Sequence, residues 1–389
     1  MKIANVLLMR CARVDTVSIQ TIDLFHPVRL PEMETVALDV LRSGQIASGP
    51  KVVALENAFS TVAGREHIVS TSDLTSAVLL ALHLAGIRAG DEVATIAFSC
   101  LQSNSPIARL GARPVWIDID PATMSMSVED LATKLTSSVK AVMVYHVAGY
   151  PSDTRRIATL CRDRGIPLIE DCNNAIGATV DGRPVGVVGE YAVYSLYPNR
   201  QINGIDGGML ATPDPVTKAR ATCLRRFGVD ATSFRDVRGE ISPNSDVPEI
   251  GWSSALNNLN AAVALSQLNT LSERTGRTKA TAAQLAGALG GLRRLRLVQP
   301  IPGAISAYWG FLVLSEHRDA MLEHLKAHGI KSSIFHHRND WYTGFGAPRA
   351  DLPGTELVMN QLLALPCGYW LTDAQINELI FRVTEFDAF

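Results

Sequence analysis

The sequence predicts an α/β protein in which a mostly parallel sheet is covered by helices on both faces. Between residue 66 and about residue 210, short apolar runs alternate with helical patterns, as in strand–helix–strand units. Those runs are apolar almost throughout, which is typical of strands buried on both faces. Hydrophobic residues make up 47% and charged residues 19% of the 389 residues, a balance that indicates a large buried core.

Each apolar run in this region is predicted to be one strand, and the patterns of Thr75 to Ala85 and Ser152 to Arg164 are predicted helices. Ligands bind beyond the carboxyl ends of parallel strands, so polar residues that follow the runs are the first candidates for a site. The runs are 91–98, 113–120, 138–147, 166–172, 191–197 and 207–212, and the polar residues are Ser99, His146, Asp171 and Arg200.

The second half of the chain has a different pattern. Residues 213–250 are polar and predicted to be irregular, and a long helix is predicted from Ser254 to Ala288. A strand at 307–314, a helix at 317–329 and a closing helix from Thr372 follow. A chain of this length suggests about two domains. We therefore expect an N-terminal extension (1–22), a large domain (23–255) and a smaller C-terminal α+β domain (256–389).

Composition excludes several classes of function. The formal net charge of -2 gives no basic field for a nucleic acid. No stretch approaches the roughly 20 apolar residues that cross a bilayer, and the apolar run Ile3 to Met9 is short for a secretory signal. The six cysteines are scattered without a C-x-x-C pair, which favours reduced thiols. We expect a cytoplasmic protein with no metal site and no nucleic-acid or membrane partner.

Five segments in order resemble one known family. They are "LRSGQIASGPKVVALENAF", "VYHVAGYPSD", "IEDCNNAIGA", "YSLYPNRQINGIDGGML" and "LALPCGYWLTDAQINELI". Together they resemble the DegT/DnrJ/EryC1/StrS sugar aminotransferases over nearly the whole chain, except the first twenty or so residues. The resemblance implies the fold type I of enzymes that use pyridoxal phosphate (PLP). It also implies a homodimer with active sites at the interface, and a substrate similar to a sugar nucleotide.

Several cofactor-binding positions of the family are retained. The resemblance places Asp171 under the pyridine nitrogen, where a negative charge keeps the ring protonated. Asn174 stands where the family's Gln touches the ring hydroxyl. Thr75 and Ser76 begin a helix whose N-terminus would hold the phosphate, and Ser195 matches a second phosphate contact. Helix capping and turn polarity are the alternative explanation for the aspartate and the three hydroxyls.

Four departures from the family fall in the same implied pocket. Leu74 replaces a small residue, usually Gly, and would crowd a close backbone approach. Cys100 takes the place of the aromatic side chain that stacks on the cofactor ring. Ser253 and Ala255 replace an Asn and an Arg, of which the Asn reaches the cofactor phosphate of the neighbouring subunit. Arg200 stands where the family has its Schiff-base lysine.

Arg200 cannot perform the chemistry of that lysine. A guanidinium is effectively always protonated, so it is neither a nucleophile nor a proton shuttle, whereas a transaminase needs a free amine. Arg200 can instead bind a carboxylate or phosphate, or form a structural salt bridge with Asp206. With Arg200 as the anion anchor, the candidate acid–base groups are His146, Asp171, Tyr197 and Cys100.

Three functions therefore remain open. The first is a repurposed enzyme that transforms a small anionic or sugar-like metabolite of natural-product or amino-sugar biosynthesis without an internal aldimine. It would use no cofactor, or PLP or pyridoxamine phosphate (PMP) held non-covalently. The second is a PMP-dependent keto-sugar dehydratase or, if the lysine was removed by engineering, a PLP-dependent sugar aminotransferase. The third is a non-catalytic partner of an active homologue. The four departures favour the first.

Overall fold

A computed structural model describes residues 21–346 and 349–388, and it confirms the predicted α/β class. The strands, in chain order, are β1 (Ile68–Thr71), β2 (Glu92–Ile96), β3 (Arg113–Ile117), β4 (Val139–Tyr145), β5 (Leu168–Asp171), β6 (Thr179–Val180), β7 (Arg183–Pro184), β8 (Tyr191–Ser195), β9 (Gly208–Ala211), β10 (Arg296–Leu297), β11 (Ala304–Ile305), β12 (Phe311–Leu314) and β13 (Leu362–Leu365).

Helices precede, separate and follow these strands. In chain order they are α1 (Pro31–Ser43), α2 (Pro50–Ala63), α3 (Leu74–Leu84), α4 (Leu101–Arg109), α5 (Val128–Lys134), α6 (Thr154–Arg164), α7 (Pro215–Leu224), α8 (Asn258–Leu265), α9 (Leu271–Leu289), α10 (Arg318–Ala327), α11 (Pro353–Gln361) and α12 (Asp373–Ala388). None of the helices in the described ranges is both long and apolar enough to cross a membrane.

The central sheet has seven strands in the order β1-β9-β8-β5-β4-β2-β3. Only β9 runs against the others, pairing antiparallel with both β8 and β1. The carboxyl ends of the other six strands therefore lie at one edge. The register sets Tyr145 beside Asp171, and it pairs Ser195 and Thr71 with Gly208 from opposite sides. This edge brings together the strand-end residues that the sequence singles out.

Both faces of the sheet are buried, which explains the unbroken apolar runs. Val193 and Tyr194 are neighbours in β8, so their side chains point to opposite faces. Val193 packs in a cluster with residues of α3, whereas Tyr194 packs edge-to-face on Phe59 of α2 at 5.1 Å between ring centroids. A strand that is covered twice needs apolar side chains at every position.

The C-terminal part of the chain has its own sheet and core. Strands β10, β12 and β13 form an antiparallel sheet that packs with α9, α10 and α12 around residues such as Leu285 and Leu379. Ile22 pairs with Ile330, so the start of the described chain joins this part. The domain boundary at 255/256 stays a prediction, and residues 1–20 of the predicted extension lie outside the described residues.

The predicted long helix from Ser254 to Ala288 was wrong, because it is two helices, α8 and α9. Gln267 lies between them and is fully buried. Its side-chain oxygen accepts from the Asn203 N–H at 2.9 Å, and its amide donates to the Asn203 and Val263 carbonyls at 2.5 and 2.7 Å. The hydrogen bonds between Gln267 and Asn203 hold the chain in a turn, where helical periodicity alone predicted one continuous helix.

Two further expectations are corrected. Residues 213–250 are not irregular throughout, because α7 forms with Pro215 in its first turn and the Asp214 carboxylate accepting from the Thr217 N–H at 2.8 Å. The strand predicted at 307–314 is regular only as β12. The preceding residues leave the sheet, because the backbone N–H of Trp309 donates to the Ala148 carbonyl at 3.0 Å.

Candidate functional site

Asp171 ends β5 and is fully buried. Its Oδ1 accepts from the backbone N–H and the side-chain amide of Asn173, at 3.1 and 2.9 Å. Its Oδ2 has no hydrogen-bond partner among the described residues. Burial raises the pKa of Asp171 above the usual carboxyl value, although the nearby Ser103 hydroxyl and the hydrogen bonds from Asn173 oppose that rise. A buried acceptor without a donor indicates a place for a ligand N–H or O–H.

Arg200 lies in the turn after β8, where its N–H donates to the Tyr197 carbonyl at 2.9 Å. The side chain is 7% exposed. Its Nη1 donates to Asn199 Oδ1 at 2.6 Å, and the guanidinium lies 4.7 Å from the centre of the Trp309 ring. Its Nε has no partner in the described part of the chain. Burial lowers the pKa of Arg200, yet a guanidinium stays charged at neutral pH.

The predicted alternative partner of Arg200 is engaged elsewhere. The Asp206 carboxylate accepts from the Gly207 N–H at 2.8 Å. Among the described contacts, Arg200 therefore meets an amide and an aromatic face and forms no ion pair, although the more distant charge of Asp171 opposes the lowering of its pKa by burial. A buried cation without a paired anion costs free energy, which makes this position suited to an anionic ligand.

A chain of three side chains links the same site to the C-terminal part of the protein. Asn174 donates its amide to the Tyr145 hydroxyl at 2.6 Å, and that hydroxyl lies 3.2 Å from His336 Nε2. Asn174 Oδ1 has no partner among the residues described. Neither Tyr145 nor His336 was predicted from the sequence to be a site residue. Their contact spans 191 positions, and no local pattern marks a loop histidine as part of a distant pocket.

Cys100 lies close to these groups as the N-cap residue of α4. Burial raises the pKa of its thiol above the ordinary value, and the charges of Arg200 and Asp171 also act on that pKa, in opposite directions. The thiol is therefore neutral near pH 7, and a neutral thiol is a poor nucleophile. Cys100 lines the site as a small polarisable side chain.

The implied phosphate end of the site is already occupied by a carboxylate. Asp73 caps α3, and its two oxygens accept from the Ser76 N–H and hydroxyl at 2.8 and 2.9 Å. Ser195 is buried, and its Oγ accepts from the Tyr197 N–H at 3.3 Å. Leu74, the first residue of α3, is buried in the core, and Thr75 is half-buried. The helix N-terminus is thus less open to an anion than the resemblance implies.

His146 and Tyr197 do not enter the site as free acid–base groups. His146 is fully buried, its Nδ1 accepts from the Ser152 N–H at 3.0 Å, and its Nε2 lies 3.3 Å from Glu170. Both ring nitrogens are therefore used within the fold. Tyr197 is 44% exposed at the rim. An acid–base role for either residue stays a prediction that this geometry does not favour.

His146, Glu170 and Cys172 are buried together with their potential ligand atoms within 4.8 Å of one another. The carboxylate of Glu170 accepts from the N–H groups of Gly186, Val188 and Gly189, at 2.9, 2.8 and 2.6 Å. Burial alone would raise the pKa of Glu170, but the His146 and backbone hydrogen bonds lower it below the usual value. This group therefore has the contacts of a structural hydrogen-bond network, and the expected lack of a metal stays a prediction.

The residues fit one end of a PLP-type cofactor better than the other. The unpartnered Oδ2 of Asp171 is suited to a protonated ring nitrogen, and the unpartnered Oδ1 of Asn174 is suited to a ring hydroxyl. At the phosphate end, Asp73 adds a negative charge, and its charge also contributes, after burial, to the raised pKa of Asp206. A ring can therefore be held here, whereas phosphate binding is weakened.

Comparisons with known proteins agree with this architecture. The sequence profile of the DegT/DnrJ/EryC1/StrS aminotransferase family matches residues 31–384. The aminotransferase TlmJ from Streptoalloteichus hindustanus is 32% identical, with a TM-score of 0.86 over 94% of this chain and 99% of that one. The sugar aminotransferase CalS13 from Micromonospora echinospora is 30% identical, with a TM-score of 0.88 over 93% and 99% of the two chains.

A pleiotropic regulatory protein from Geobacillus stearothermophilus is 28% identical over 363 residues, which are 92% of this chain and 94% of that protein. The match to the family profile spans both the central sheet and the C-terminal sheet described above. With its α/β fold of type I, the chain belongs to the DegT/DnrJ/EryC1/StrS aminotransferase family.

Proposed function

We propose that this family member binds a small anionic or sugar-like metabolite at Arg200 and transforms it without forming a Schiff base to the protein. The observation that carries the proposal is the buried guanidinium of Arg200, which has a free Nε and no compensating carboxylate among the described ion pairs. Such a cation is costly in the empty protein. That cost is offset when a carboxylate or phosphate binds.

Two lysines near the central sheet, Lys140 and Lys218, lie at the surface and not beside Arg200. Lys140 is exposed on β4 and donates to the Ser137 carbonyl at 2.8 Å. Lys218 lies on α7, in a surface cleft beside Arg226 and Phe227. Because an arginine at position 200 cannot exchange an amine with a substrate, ordinary transamination is not the activity that we propose.

The side chains around Arg200 suggest how a ligand is bound and oriented. Trp309 holds the guanidinium on its face, an arrangement that favours a cation, and its indole N–H donates to the Asn199 carbonyl at 2.6 Å. Phe25 stacks on the Trp309 ring, with 4.2 Å between the ring centroids. These apolar faces exclude water, which strengthens the charge-assisted hydrogen bonds from Arg200. Asp171 Oδ2 then accepts a hydrogen bond from the ligand.

A second candidate is non-covalent use of PMP in the dehydration of a keto-sugar. The observation that favours it is the pair of unpartnered oxygens, Asp171 Oδ2 and Asn174 Oδ1, at the end of β5. When bound, PLP or PMP supplies an electron-withdrawing ring that stabilises a carbanion. The carboxylate of Asp73 at the phosphate end opposes this candidate.

A homodimer, with the site at its interface, belongs to the same proposal. A surface cleft is lined by Ser253 and Ala255, among other residues. Its rim carries Val53 and Phe227, which are 57% and 54% exposed, and exposed apolar side chains in one region favour a protein contact. An active homologue in place of a second copy would correspond to the non-catalytic alternative.

Calorimetric titration of the purified protein with succinate, inorganic phosphate and PMP tests the anion site. We expect at least one of them to bind, and Arg200→Gln to weaken that binding at least tenfold, because hydrogen bonds to charged groups contribute about 1.5–3 kcal/mol. Arg156→Gln, which removes a surface ion pair to Glu129, is the control. Equal affinities of the wild-type and Arg200→Gln proteins would remove Arg200 from the binding site.

A further inference from the structure

The Tyr145 hydroxyl lies between Asn174 and His336 and has a single proton to share. It is within hydrogen-bond distance of both, at 2.6 Å from Asn174 Nδ2 and 3.2 Å from His336 Nε2. Tyr145 is 1% exposed, so water does not supply a substitute partner. The buried hydroxyl proton has a partner in this chain of contacts only when one neighbour donates to the oxygen and the other accepts the proton.

That constraint leaves two arrangements. In the first, His336 carries its proton on Nδ1, Tyr145 donates to Nε2, and the amide of Asn174 donates to Tyr145. The Asn174 end of this arrangement is the one that the structure describes, with Asn174 Oδ1 unpartnered among the described residues. In the second, His336 carries its proton on Nε2 and donates to Tyr145, which donates to Asn174 Oδ1. The Asn174 amide N–H groups are then free.

Neither arrangement loses a hydrogen bond within the chain. The terminal torsion of an asparagine is broad and roughly two-fold, so the amide can turn without moving the backbone. The two tautomers of neutral imidazole differ only in which nitrogen carries the proton. The free energies of the two states are therefore close, and a ligand can select between them.

We propose that His336 and Tyr145 are positioning residues that set whether Asn174 offers the ligand a hydrogen-bond acceptor or a donor. A ligand with a hydroxyl or N–H at this point keeps the resting arrangement. A ligand with an anionic oxygen, such as a phenolate, enolate or carboxylate, selects the second. The site therefore accepts either form of an oxygen that loses its proton during a reaction. This inference rests on the proposed function for its ligand, but the coupling itself belongs to the empty protein.

The charged and titratable groups around the chain are compatible with a tautomer exchange. Asp171, Arg200 and Cys100 act on Tyr145, whose pKa is raised first of all by burial. Burial and the charge of Arg200 lower the pKa of His336 to about 3. His336 therefore stays neutral near pH 7, where only its two neutral forms are available. Its other close neighbour is the apolar ring of Phe98, at 5.4 Å between ring centroids.

The test reads the tautomer of His336 directly, from the ¹⁵N shifts of its two ring nitrogens in ligand-free protein. The wild type should carry its proton on Nδ1. Asn174→Asp supplies a carboxylate that only accepts, so Tyr145 must donate to it and His336 should change to the Nε2 form. Tyr150→Phe is the control, because it removes another buried hydroxyl, which accepts from the Leu312 N–H at 3.1 Å. It should leave His336 unchanged.

An Asn174→Asp protein with the wild-type tautomer would overturn the coupling. If that variant does not fold, Tyr145→Phe serves instead, and retention of the Nδ1 form as in the wild type would overturn it. Adding PMP to the wild type, at a pH where its ring oxygen is a phenolate, tests the ligand part, since that anionic oxygen should drive His336 to the Nε2 form. Bound PMP without that change contradicts selection by the ligand. Failure of PMP to bind counts against the cofactor part of the proposed function, while the Asn174→Asp result still stands.

Discussion

At the scale of single residues, the site holds two opposite charges that form no direct ion pair among the described contacts. Asp171 keeps one oxygen unpartnered, and Arg200 keeps its Nε unpartnered. Each is buried at a cost in free energy. A fold that retains such groups gives up stability for binding, as functional sites often do.

Asp171→Asn should therefore stabilise the ligand-free protein while it weakens PMP binding. Because the folded-state pKa of Asp171 is raised, the destabilising effect of its charge is absent at acid pH. It grows as the pH rises from about 4, the ordinary carboxyl pKa, through the raised value. Near pH 7 we expect the free energy of unfolding of Asp171→Asn to exceed that of the wild type by on the order of 1 kcal/mol. Urea denaturation at several pH values measures this.

The matched control for that experiment is Asp120→Asn, since Asp120 is exposed and bonds only within its own turn. A variant Asp171→Asn that is less stable than the wild type near pH 7 would show that the ionised carboxylate stabilises the fold. The unpartnered Oδ2 would then need an explanation other than a missing ligand.

Arg200→Lys alone should not create a transaminase. Cys100, Leu74 and Asp73 would remain, and each alters the implied cofactor site rather than the amine. Amino transfer from glutamate to a keto-sugar, followed by mass spectrometry of the product, measures this. Turnover above that of the wild type would show that the rest of the pocket is competent and that only the lysine is missing.

At the scale of elements, the N-terminus of α3 decides how well the site holds a phosphate. Its helix dipole favours an anion, but the Asp73 carboxylate already occupies the first turn. Asp73 therefore caps the helix, but its negative charge weakens the positive potential at the N-terminus of α3. A neutral residue with the same capping ability would separate the two effects.

Asp73→Ser should strengthen the binding of phosphate-bearing ligands without unfolding the protein. Serine caps about as well as aspartate, and removal of the charge is expected to improve PMP affinity by roughly five- to tenfold, about 1 kcal/mol. Asp153→Ser, at the N-terminus of α6, is the control with the same change of cap. Unchanged affinity for PMP and phosphate would place the phosphate away from α3.

The sequence predicted most strands of the central sheet, because strands buried on both faces are apolar along their whole length. It also pointed to Asp171, Asn174 and Arg200 through the family resemblance. It missed the break at Gln267, whose hydrogen bonds to Asn203 join residues 64 positions apart. It missed Tyr145 and His336 for the same reason. Long-range polar contacts leave no periodic signal in the chain.

At the scale of the whole molecule, exposed apolar side chains favour association into the proposed dimer. Val53 and Phe227 lie on the rim of the cleft that contains Ser253. Phe227→Asp should weaken the dimer, because it places a charge in a contact that would bury an aromatic ring. Sedimentation velocity measures the mass in solution. The control is Val237→Asp, because Val237 is fully exposed and is not among the residues that line the cleft.

A wild-type protein that sediments with the mass of one chain would contradict the dimer. If the wild type is a dimer and both variants remain so, the contact surface lies elsewhere. Neither result bears on the contacts of Arg200, since all of those described lie within one subunit.

The most direct test of the central claim is whether the protein forms a Schiff base. The purified protein is incubated with one equivalent of PLP, reduced with borohydride and weighed intact under denaturing conditions, with Arg200→Lys treated in parallel. A function independent of a lysine predicts a wild-type chain of unchanged mass, even if native mass spectrometry shows PLP bound. A stoichiometric phosphopyridoxyl adduct on one wild-type lysine would contradict the claim.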